Sequence, residues 1–196
     1  MLPDYCREKR KACSCQLFDR SLRFWPELLE REVMALFRFI TKDVWIGSRV
    51  RQFKMVDHPG AAATLVVQDG MVLFVEQYRP AAARNMLEIP AGTIDRGESP
   101  LECAQREFQE ETGYSAEHWE SLGHIFPTPG YTNEVLHLFF ASNLTKGEQQ
   151  LEAGEDINVR WIPLDEVEGM IDQGEINDAK TIVAVLKYLR KLRKNS

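Results

Sequence analysis

From His58 onward the apolar positions fall into short runs separated by turn-forming residues, which is the pattern of strands. Ala61–Gln68 and Met71–Gln77 are two such runs joined by Asp69-Gly70, a strong hairpin signal because both turn positions need positive φ. Arg79-Pro80 closes that unit, and Met86–Ile89, Trp119–Phe126, Val135–Ala141 and Ile157–Ile162 predict four further strands, the last stopped by Pro163. Helical spacing predicts one helix from Asp165 to about Asp172. A second runs from Asp178 to about Lys194, with Ile182, Val183, Val185, Leu186 and Leu189 as its buried face. Upstream, residues 26–40 read as a helix with Pro26 at its start, and residues 44–56 as one or two strands. Residues 1–24 are polar and charged without a periodic pattern. The expectation is an α/β (α+β) fold, a mixed β-sheet sandwich flanked by helices over residues 58–196, preceded by an N-terminal arm over residues 1–57.

The most informative stretch runs from Glu88 to Tyr114, EIPAGTIDRGESPLECAQREFQEETGY. Ser99 as N-cap, Pro100 as first helical residue and Glu102 as third form a capping box, and Gly113 is the C-terminal stop. The spacing predicts a helix over 100–112 with Leu101, Ala104 and Phe108 as its apolar stripe. Glu107 and Glu111 lie one turn apart with Glu110 beside them, and like charges at this spacing repel. An acidic solvent face is one reading. A hard divalent cation is the other, because Mg²⁺ prefers carboxylate and carbonyl oxygens, and the Ala91-Gly92 loop before the helix brings backbone oxygens close. Arg106, four before Glu110, is placed to pair with it.

Charge and cysteine usage narrow the class. The 196 residues carry a formal net charge of −6, which gives no general basic field to gather nucleic acid. No apolar run reaches the length a membrane helix needs, and Asp4, Arg7, Glu8, Lys9, Arg10 and Lys11 interrupt any signal-peptide core. Cys6, Cys13, Cys15 and Cys103 lack zinc-site spacing, which favours a reduced, cytoplasmic protein. His58 reads as a turn residue, and His124 and His137 as structural strand residues. His118 reads as exposed, and Cys103 as a small buried apolar group.

Counting from Gly92, the chain shows G, five residues, Glu98, seven residues, Arg106-Glu107, Phe108, one residue, Glu110-Glu111, one residue, Gly113 and Tyr114. This resembles the Nudix box at every specified position. The segments HPGAAATLVV, VEQYRP, LEIPAG, PTPGYTNE and GEINDAKTIVAVL resemble the ADP-ribose pyrophosphatase branch of that family, as does Pro129, sixteen residues after Gly113.

The resemblance implies a Nudix fold and Mg²⁺-dependent hydrolysis of ADP-ribose or a related ADP-sugar to AMP and a sugar phosphate, with Mn²⁺ as a substitute. It implies Glu107, Glu111 and the Ala91 carbonyl as metal ligands, completed by Glu110. Gly92, Glu98 and Arg106 would support them. Glu155, with Glu152 in reserve, would bind metal or activate water, so Glu155, Glu110 and Arg106 form the catalytic set. Arg79 would contact the pyrophosphate, and Glu134 the ribose unless it only orders its loop. Arg51, with Trp45 and Arg49, would reach the base or terminal ribose in a homodimer. Another nucleoside-diphosphate sugar such as GDP-mannose, or an oxidised nucleotide, is the alternative substrate. A non-catalytic ligand sensor is the alternative class.

Overall fold

Two adjacent strands of one hairpin part company beyond their turn, and the rest of the fold is built on that split. The structure, a computed structural model, describes residues 37–195. Arg38–Ile46 (β1) and Arg49–Asp57 (β2) pair as a separate antiparallel ribbon. Ala61–Gln68 (β3) and Met71–Arg79 (β4) follow, bonded to each other only beside the Asp69-Gly70 turn, where both residues have positive φ. Beyond the turn β3 pairs in parallel with Leu136–Lys146 (β8), whose other neighbour is Tyr114–Ile125 (β7). β4 instead lies between Arg84–Glu88 (β5) and Ile157–Pro163 (β9), antiparallel to both.

The chain crosses the split at Pro90. β5 ends at Glu88 on β4, and three residues later Ala91–Thr93 (β6) pairs with the start of β3. The Pro90 carbonyl accepts from Thr64 N–H at 2.9 Å, fixing the crossing point. This crossing is what delivers Ala91 and Gly92 to the face of the helix that follows.

Both faces of the sheet are covered, because the apolar residues of β3 alternate with period two. Ala61, Ala63 and Leu65 face Val167, Ile176, Ala184, Val185 and Leu189, from the helices Leu164–Asp172 (α2) and Ala179–Asn195 (α3) and their connection. Ala62 and Val66 face Cys103, Ala104 and Phe108 of Pro100–Thr112 (α1). This is the expected mixed sandwich with helices on either side. Phe74 and Phe108 are fully buried on opposite faces, and truncating either to alanine would cost about 3–5 kcal/mol.

The helix over 100–112 has the expected ends. Ser99 Oγ accepts from Glu102 N–H, Glu102 answers the Ser99 N–H, and Gly113 caps in the left-handed region at φ 74°. Other expectations need correction. Leu101 is exposed, and the buried face of α1 is instead Cys103, Ala104, Phe108, Glu111 and Thr112. Leu186 is likewise exposed, because α3 turns Thr181, Ala184, Val185 and Leu189 inward. The helix expected over 26–40 lies outside the described residues up to 36, and its last three residues belong to β1, whose pairing with β2 overrides local helical spacing. β7 begins at Tyr114, β8 continues to Lys146, and β6, three residues long, carries no strand pattern in the sequence.

Candidate active site

Gly92 admits the helix. A Cβ at this position would overlap the Glu107 carboxylate, so a residue without a side chain lets that carboxylate lie against β6. One residue earlier, the Ala91 N–H donates to Glu111 Oε2 at 3.0 Å. Glu111 is 5% exposed. Burial pushes its carboxyl up to about 8. The Ala91 N–H and the charge of Arg79 oppose the shift, and the charges of Glu107 and Glu155 add to it. Glu107 is also raised, by burial first, against the pull of Arg106 and with Glu110 and Glu155 adding to the rise. The charge of Glu155, from the loop before β9, is thus felt at both carboxylates, and its own Oε2 accepts from Glu152 N–H at 2.9 Å.

Arg106 is the hub of the acidic face. Its Nε and Nη2 grip both oxygens of Glu98, at 2.9 and 3.1 Å. Nη1 reaches Glu107 at 2.7 Å and Glu110 at 3.1 Å, and Nη2 also donates to the Thr93 carbonyl at 3.1 Å. One planar guanidinium therefore ties the loop, β6 and three carboxylates together. The hydrogen bond to Glu98 is the largest cause that raises the Arg106 pKa, and the same bond leads in holding Glu98 below the usual carboxylate range.

A second charged cluster stands beside the first. Arg79 Nε donates to Glu88 Oε1 at 2.7 Å and Nη2 to Glu88 Oε2 at 2.8 Å. Glu88 is 2% exposed, and its Oε2 also takes a bond from Lys180. Burial works against ionising Glu88, but Arg79 and Lys180 together outweigh it and hold the carboxyl below its ordinary value. Lys180 also pairs with Asp178 at 3.1 Å, and Asp178 caps α3 by accepting from Thr181 N–H at 3.0 Å and Oγ1 at 2.6 Å. Thr181 Oγ1 accepts from Ile89 N–H at 2.8 Å. Sequence reasoning gave Glu88, Lys180 and Thr181 no role, and Asp178 only the start of the last helix. The available signal was a lone carboxylate inside the apolar run Met86–Ile89.

The remaining expected residues sit apart from these clusters. Glu134 is half-buried in the loop before β8, and its N–H donates to Thr132 Oγ1 at 3.1 Å. Asn133, not singled out from sequence, ties that loop to the end of β2 by accepting from His58 N–H at 2.7 Å and donating to Asp57 at 2.9 Å. Arg51 is exposed on β2 opposite Val44, and no hydrogen bond joins it to either cluster.

Among the described residues, no three His, Cys, Asp or Glu side chains converge as a finished metal-ligand set. Glu107 is drawn to Arg106, and Glu111 to the Ala91 amide. The chemistry of the donors nevertheless suits a hard divalent cation. Glu107, Glu110, Glu111 and Glu155 offer carboxylate oxygens beside the Ala91 backbone, with the Gly92 backbone pressed against one of them. Two of these carboxyls are penalised for being charged, a penalty that a cation would remove.

The description of a NUDIX domain matches residues 57–185, most of the chain. The chain belongs to the Nudix family. Its Nudix box is therefore β6, the loop after it and α1. An ADP-ribose pyrophosphatase of Bacillus subtilis (strain 168) is 37% identical over 140 residues, covering 70% of this chain and 75% of that protein. A GDP-mannose pyrophosphatase of Yersinia enterocolitica is 34% identical over 154 residues, covering 72% and 80%. A solved structure of an ADP compounds hydrolase superposes with a TM-score of 0.72 at 20% identity, over 83% of this chain and 89% of that one, and shows the same fold. This Nudix hydrolase thus has relatives in the branch that its sequence resembles. No described helix is long and apolar enough to cross a membrane.

Proposed function

We propose that this Nudix hydrolase cleaves the pyrophosphate bond of ADP-ribose or a related ADP-sugar, releasing AMP and a sugar phosphate, with Mg²⁺ or in its place Mn²⁺. The observation that carries the proposal is the buried Glu111 carboxylate held by the Ala91 amide, with the charges of Glu107, Glu155 and Arg79 all felt there. Glu107, Glu111, Glu155 and the Ala91 carbonyl would hold the cation, with Glu110 completing the set. When bound, that cation would supply charge neutralisation for the pyrophosphate and increase the acidity of a coordinated water.

The protein's own groups do the rest. Arg79 is half-exposed and spends only Nε and Nη2 on Glu88, which leaves Nη1 for a phosphate oxygen. Glu155 would accept the proton of the attacking water, the bridging P–O bond would break, and the sugar phosphate and AMP would part. Arg106 and Glu98 fix the helix so that Glu107 does not swing away. Glu134 would contact the ribose from the loop held by Asn133, and Arg51 the far end of the nucleotide from the β1–β2 ribbon of a partner copy. A homodimer in the cytoplasm completes the proposal. It is supported by Phe39 and Trp45, 87% and 72% exposed on that ribbon, and by the free buried thiol of Cys103.

The GDP-mannose pyrophosphatase relative supports GDP-mannose as the second substrate reading. The direct test is hydrolysis of ADP-ribose and GDP-mannose with Mg²⁺ and with EDTA, scoring AMP and GMP. Mg²⁺-dependent AMP release from ADP-ribose is the expected result. GMP release alone would move the assignment to the second substrate, and no release of either would revive the ligand-sensor reading.

A further inference from the structure

The Glu88 carboxylate is buried between two charged side chains, Arg79 and Lys180, which have different jobs. Arg79 approaches from the side of the acidic cluster and keeps one nitrogen, Nη1, without a protein partner among the described residues. Lys180 approaches from the start of α3, is almost buried, and bonds both Glu88 and Asp178. Counting Arg79 and Lys180 against Glu88 and Asp178, the cluster is neutral. Removing the lysine leaves one net negative charge beside the place where an anionic substrate must enter. It also strips Glu88 Oε2 of one of its two donors, so the fork that aims Arg79 loses its rigid backing.

We propose that Lys180 is a positioning residue for substrate binding: by holding Glu88 from behind, it fixes the carboxylate that presents Arg79 to the pyrophosphate. Thr181 acts in the same clamp, since its Oγ1 holds the Ile89 N–H two residues before Ala91. Lys180 touches neither substrate nor reacting atoms. This inference rests on the reading of Arg79 as a pyrophosphate contact, and it extends that site to the N-terminus of α3.

The test compares wild type, Lys180→Met and Lys180→Arg by steady-state hydrolysis of ADP-ribose and GDP-mannose, thermal melting, and NMR of the Arg79 Nε–H. Lys180→Met should raise KM about tenfold with kcat within about threefold, and speed exchange of the Arg79 Nε–H with solvent. Lys180→Arg, which keeps the charge, should restore both. If Lys180→Met does not fold, Glu88→Gln combined with Lys180→Met removes both buried charges and should fold, with KM still raised and the Arg79 Nε–H still fast to exchange. An unchanged KM with only a lower Tm, or an Arg79 signal as protected as in wild type, overturns the clamp. If wild type hydrolyses neither substrate, the proposed function fails, and the Arg79 exchange measurement still decides whether Lys180 holds the fork.

Discussion

The Ala91 N–H and the Glu111 Oε2 lie 3.0 Å apart across the gap between β6 and α1, joining the strand that ends the crossing to the carboxylate at the heart of the box. Because Glu111 is buried and flanked by Glu107 and Glu155, that single amide carries much of the local compensation for its charge. Glu111→Gln and Glu107→Gln should each lower kcat by at least about a hundredfold while leaving the circular dichroism spectrum unchanged. Near-normal turnover in either variant would remove it from the proposed ligand set.

The raised Glu111 carboxyl has a signed consequence for stability. Its ordinary value is 4.5 and its folded value about 8, so between these limits the folded chain binds the proton that the unfolded chain has lost. In EDTA the protein should therefore become less stable as pH rises from about 4.5 to about 8. Mg²⁺ should raise Tm more at pH 8 than at pH 6, where it must displace the proton. Thermal melts across this range would show it, and the slope should flatten in Glu111→Gln. An equal slope in that variant would assign the effect to other groups.

Gly92→Ala should disable the site without touching a charge. The added methyl group would overlap the Glu107 carboxylate and push it from its place against β6, with little cost to the fold because only the end of a flexible side chain must move. Activity should fall by about a hundredfold or more, with Tm little changed. An alanine variant of wild-type activity would mean that the reaction does not need Glu107 in this position.

Arg79→Lys keeps the charge and loses the fork. A lysine cannot hold both Glu88 oxygens and still offer a further donor in a fixed direction, so KM for the nucleotide sugar should rise roughly tenfold or more. Initial-rate kinetics would settle this, and an unchanged KM would take Arg79 out of the substrate contact.

For the proposed homodimer, Phe39→Ser combined with Trp45→Ser removes the two most exposed large apolar groups of the β1–β2 ribbon. Light scattering after gel filtration should report a dimer for wild type and a shift toward monomer for the variant. A wild-type monomer would instead confine the site to one chain.

Local rules reached some of this structure and not the rest. Ser99, Pro100, Glu102 and Gly113 mark both ends of α1 because capping is decided within four residues, and Asp69-Gly70 marks its hairpin for the same reason. Leu101 and Leu186 have helical spacing yet stay exposed. Periodicity finds a stripe, but the sheet decides which edge of the stripe it covers. The acidic face of the box was readable by spacing, as was the Arg106–Glu110 pair, which lies at 3.1 Å. The Glu88–Lys180 bond was not, since its partners are 92 residues apart and meet only through the packing of α3 on the sheet.

That separation bears on how the protein is made. A nascent chain that has emerged as far as β9 already contains every described strand and the whole acidic helix, but Glu88 still lacks the lysine that helps hold it. Its buried charge is then short of a donor, and Ile89 has no hydroxyl to accept its N–H. The end of the site proposed to take the pyrophosphate therefore matures last, when α3 docks. A ribosome stalled before that point would display an acidic pocket with an unsteady arginine.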